Sequence, residues 1–108
     1  MNFQDIAKTF AESTGGTDQF KELFKSASEL MKSDPDNAAL YFVVTVAARA
    51  YVKKYEDQGV EADLSLRAKT ALDDFNARIV SALSQDAGQR LRAASSIALN
   101  YEWHVVDF

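Results

Sequence analysis

The residues that break helices are scarce in this sequence, one proline and four glycines, and they fall between segments of helical period instead of inside them. Long uninterrupted stretches therefore have only helical solutions open to them. In the first stretch Phe3, Ile6, Ala7, Phe10 and Ala11 follow the i, i+3, i+4, i+7, i+8 spacing of one helix face, and Gly15-Gly16 offers a left-handed stop, which predicts helix 1 over residues 3–14. Thr17 is then a candidate cap for helix 2. Its Phe20, Leu23, Phe24, Ala27, Leu30 and Met31 hold one face and its lysines and glutamates the other, up to Ser33.

Asp34-Pro35 reads as an N-cap followed by proline at the first helical position, where its missing N–H costs nothing, and helix 3 is expected from there to about residue 58. The run Val43-Val44-Thr45-Val46 has the β-branched content of a buried strand. Two stripes at helical spacing, Tyr41-Val44-Ala48-Tyr51-Tyr55 and Leu40-Val43-Ala47-Ala50, favour the helix, with no turn signal before Gly59. Asp63 is a candidate cap for helix 4, whose Leu64, Ala68, Leu72, Phe75, Ile79 and Leu83 make the cleanest amphipathic stripe in the chain. Asp86, with Gln89 three residues on, resembles a capping pair for helix 5, where Leu91, Ala94, Ile97, Ala98, Tyr101, Val105 and Phe108 recur on one side. Phe24, Leu72, Phe75 and Ile79 are expected in the core.

Connections of a few residues make sequential helices antiparallel neighbours. The expected fold is all-α: an antiparallel up-down helical bundle, with helices 3, 4 and 5 long and helices 1 and 2 an N-terminal helical hairpin. A chain of 108 residues buries roughly 65% of its unfolded surface in one core, so one domain spanning 1–108 is expected. Asp34-Pro35-Asp36-Asn37-Ala38 leading into Tyr41 resembles the junction between tetratricopeptide repeats. The likeness stays with that phrase, because helices 3 and 4 are longer than those of an about 34-residue repeat and no period of that length recurs.

Composition narrows the chemistry. With no cysteine there is no disulfide, thiolate nucleophile or Cys-based metal site, in keeping with a reducing compartment. Met1 to Asp5 lacks a basic stretch leading into an apolar run, so no signal peptide is read and cytoplasmic placement is expected. The formal charge of −4 gives no footprint for a phosphate backbone, and Arg49, Lys53, Lys54, Arg90 and Arg92 form no basic run, so nucleic acid is not an expected partner. The longest apolar stretch, Ala38 to Ala48, is too short for the ~20 residues of a membrane span.

Catalytic patterns are equally sparse. The one histidine, His104, sits among Tyr101, Trp103 and Phe108 and has no Glu-x-x-His or His-Glu-x-x-His companion. Asp73-Asp74 are adjacent on a helix and point about 100° apart, so they read as solvated carboxylates. Asp57, Glu61 and Asp63 lack the alternation of a calcium loop, and Gly15-Gly16-Thr17 lacks the strand and lysine of a phosphate loop. No cofactor or metal is expected.

One feature exceeds what a bundle requires. Phe42 and Val46 lie outside both apolar stripes of helix 3 and share a face with Arg49, Lys53 and Asp57, so the first half of that helix is apolar nearly all round and the second half one-sided. Either the helical hairpin or the tail Trp103 to Phe108 covers this face, or it meets another molecule. With Phe42, Val46, Arg49 and Lys53 as the candidate interface, the expected function is a non-enzymatic protein-interaction module of adaptor, inhibitor, immunity or chaperone-like kind, binding a protein partner or a second copy. A small-molecule or haem-binding bundle using the aromatics around His104 is the alternative, and a small enzyme working with carboxylates and tyrosines a third.

Overall fold

The computed structural model describes residues 2–104, the last three of them by backbone alone. Five α-helices account for most of it: α1 Phe3–Ala11, α2 Thr17–Ser33, α3 Ala38–Tyr55, α4 Ala62–Leu83 and α5 Ala87–His104. The all-α bundle expected from the periodicity is what forms, and Val43 to Val46 are helical. Sequential helices are antiparallel. Phe20 stacks on Tyr51 and Met31 reaches Thr45 across α2 and α3, and Arg78 bonds Ser96 across α4 and α5. At 17 residues α2 nearly matches the 18 of α3, so within the N-terminal hairpin only α1 is short.

Local chemistry sets the ends. The Asn2 side chain accepts the Asp5 N–H at 2.9 Å to cap α1. The helix stops at Ala11, before the expected residue 14, because the Ser13 hydroxyl donates to the Phe10 carbonyl and accepts the Gly15 N–H, replacing a helical turn with side-chain bonds. Gly15 takes φ +77°, the left-handed turn that leads into α2. Gly16, not Thr17, is the N-cap of α2, and Glu61, not Asp63, that of α4; neither uses a side-chain bond. Pro35–Asn37 form a single 3-10 turn before α3. At the far end α3 closes at Tyr55, short of residue 58, and Asp57 carries the chain round at φ 64°, a conformation Asp tolerates better than most side chains. The expected cap at α5 is present, with Asp86 Oδ1 accepting the Gln89 N–H at 2.9 Å. Gly88 lies inside that first turn and is the one breaker within a helix.

α3 is the central element, packed against α2, α4 and α5, while α4 also meets α1. Phe20 is the hub of the core: it stacks on Tyr51 at 3.9 Å and takes the edge of Phe10 at 5.1 Å. Leu72, Phe75 and Ile79 are buried as expected. Phe24 is half-buried, because it stands at the margin of the arc that Phe20, Leu23 and Ala27 turn inward. On α5 the expected stripe divides: Ala94 and Ile97 are buried, but Leu91 and Ala98 face outward. α5 lies at the edge of the bundle against α4 and α3, so its buried arc is narrower than its apolar sector.

Candidate interaction surface

The buried side of α3 comprises Leu40, Tyr41, Val44, Thr45, Ala47, Ala48, Tyr51 and Val52. At about 100° per residue these cover an arc of about 160°. Phe42, Val46, Arg49 and Lys53 lie together on the opposite side, within about 60° of one another. Phe42 is 53% exposed, Val46 is half-buried, and Arg49 and Lys53 are exposed. The helical hairpin therefore does not cover this face. The other proposed cover, Trp103 to Phe108, lies outside the described side chains, as does His104 with the aromatic cluster expected around it.

The second wall of the site comes from α5. Phe42, Val43 and Val46 face Ala98 and Tyr101 across an apolar groove of about 210 Å³. Leu91 stands two turns before Ala98 and is 67% exposed; Leu99, next to Ala98, is 69% exposed. Periodicity placed Ala98 and Tyr101 on the inner stripe and so missed this wall. The available signal was the width of the α5 apolar sector, since Leu91 and Leu99 stand about 80° apart at helical spacing.

Charge is divided between the helices. No Asp or Glu occurs in residues 38–55 or 87–101, whereas Arg49, Lys53 and Lys54 occupy the first segment and Arg90 and Arg92 the second. The chain as a whole carries −4, so the pair of helices lining the groove has the opposite sign to the protein. Glu102, with its side chain outside the described residues, is the first acid on α5.

Several charged groups elsewhere have structural partners. Asp73 pairs with Lys69 at 2.7 Å and Asp74 with Arg78 at 3.1 Å, so the adjacent carboxylates serve separate bases. Asp34 accepts the Asn37 side-chain amide at 2.9 Å and the Tyr41 hydroxyl at 2.7 Å. These bonds hold its carboxyl below the ordinary carboxylate value, while burial first and Asp34 second push the Tyr41 phenol up. Burial likewise raises Tyr51, opposed by its hydrogen bond with Ser65. Among the described residues no three His, Asp or Glu side chains converge as metal ligands would, and no helix is long and apolar enough to cross a membrane. A second cleft, about 350 Å³ between α1 and α2, is floored by Ile6, Phe10 and Leu23. Those side chains also belong to the hydrophobic core.

Fold and site together define, among the described residues, a five-helix bundle with an open apolar groove at the junction of its central and edge helices. Set against family models, curated proteins and solved structures, the chain matches none of them.

Proposed function

We propose that this protein is a non-enzymatic protein-interaction module that docks its partner in the groove between α3 and α5. The observation that carries the reading is Phe42, a large aromatic left 53% exposed on a helix whose other side is the centre of the core. A contiguous apolar patch open to water is costly to keep and is characteristically a contact surface. Its composition suits that use: an aromatic anchor beside Val46 and Tyr101, bordered by Arg49, matches the residue types that dominate binding hot spots.

The test compares wild type with Phe42→Ser. Circular dichroism and melting establish that both are folded; light scattering and affinity capture from the native host then read association. The expected result is a dimer or a captured protein with wild type and its loss with the variant. Equal monomeric mass for the two, together with the same captured proteins, would remove the groove from any binding role.

A further inference from the structure

Taking the groove as a docking site, we infer that its occupant is an acidic amphipathic helix of another protein, not a second copy of this chain. Shape and charge each contribute. The groove is concave, walled by Phe42, Val43 and Val46 on one helix and by Ala98 and Tyr101 on the other. It therefore accepts a row of protruding apolar side chains, which a helix presents at i, i+3, i+4 and i+7. A bilayer surface calls instead for apolar groups on a convex protrusion.

The surround is positive. Arg49 and Lys53 continue the line of Phe42 and Val46 along α3, and neither wall carries an acid within residues 38–55 or 87–101. A two-fold dimer built on this face would set that positive field against its own copy. Like charges brought together across an interface oppose association and opposite ones favour it. An amphipathic helix with Glu and Asp flanking its apolar ridge satisfies the groove and the surround at once.

The experiment uses the full chain and three designed helical peptides of about 20 residues. The first has Leu at groove spacing with Glu on both flanks, the second has Lys in place of every Glu, and the third is a scramble of the first that destroys the apolar ridge. Binding is followed by fluorescence anisotropy at low and high salt, beside flotation with phosphatidylglycerol–phosphatidylcholine vesicles and sedimentation of the chain alone. The acidic peptide is expected to bind, more weakly as salt rises, with affinity reduced at least ~tenfold by Phe42→Ser and by the pair Arg49→Glu and Lys53→Glu. That charge-reversed pair should in turn bind the Lys peptide better than wild type does, a swap that general loss of structure cannot produce. Preference of wild type for the Lys peptide, equal binding of the scramble, or Phe42-dependent dimerisation or vesicle binding in place of peptide binding overturns the inference while leaving the groove a docking site. Absence of every Phe42-dependent association overturns the docking reading itself.

Discussion

Phe75 and Asn76 are neighbours on α4 and both lie inside the bundle, at 1% and 2% exposure, yet burial acts on them in opposite directions. Truncating Phe75 to Ala removes a fully packed ring and should cost about 3–5 kcal/mol, read as a lower urea midpoint at unchanged slope. Both amide atoms of Asn76 are buried and unpartnered, so the folded state carries a desolvation penalty that similarly branched Leu would not. Asn76→Leu should raise stability by about 1 kcal/mol in the same measurement. Asp34 and Tyr41 predict a pH dependence. Hydrogen bonds from Asn37 and then Tyr41 lower the Asp34 carboxyl, so its contribution is full above the ordinary value of 3.8 and is lost as pH falls through the lower folded value. Tyr41 is raised, chiefly by burial; folding then favours the protonated phenol, and stability falls as pH rises past the ordinary value near 10.0. Tyr41→Phe should lower stability at neutral pH, and its deficit should shrink both below pH 4 and above pH 10, checked by denaturation across about that range.

At the scale of elements, the helices were legible because each carries an apolar stripe of one period, and their ends were less so because caps depend on local bonds. Asp86 and Gln89 could be read directly, since the side chain meets the N–H three residues on. Thr17 and Asp63 misled because the preceding residues, Gly16 and Glu61, already have the extended backbone of a cap. The outward turn of Leu91 and Ala98 was hidden for another reason: periodicity gives the phase of a stripe, not how much of it the neighbours cover. Half of the groove was therefore visible beforehand, the Phe42 and Val46 wall, and the α5 wall was not. The α1–α2 connection supplies a prediction. Gly15 is at φ +77°, and a Cβ there would stand 2.8 Å from Lys69 Cδ. Lys69 ties α4 to α1 by donating to the Ala11 carbonyl at 2.9 Å and lying over the Phe10 ring. Gly15→Ala should cost about 1–2 kcal/mol through backbone strain and displaced Lys69, and hydrogen exchange should show faster opening confined to α1.

For the whole molecule, the exposure of Phe42 separates folding from association. Because its ring is 53% exposed, Phe42→Glu should leave thermal stability of the monomer within about 0.5 kcal/mol of wild type, the ordinary range for surface changes. A severe, concentration-independent drop in melting temperature would show instead that the ring belongs to the core. The opposite side of the same helix limits how the groove can respond to what enters it. Tyr41, Val44, Ala48 and Tyr51 anchor α3 among three neighbouring helices, so shifting it would disturb the packing of the entire bundle. The buried described residues of α5 are only Ala94 and Ile97. In the docking proposed above, α5 is therefore the wall expected to adjust to a thicker or thinner guest, and substitutions at Ala94 or Ile97 should change which peptides bind while leaving the exposed lining of the groove unaltered.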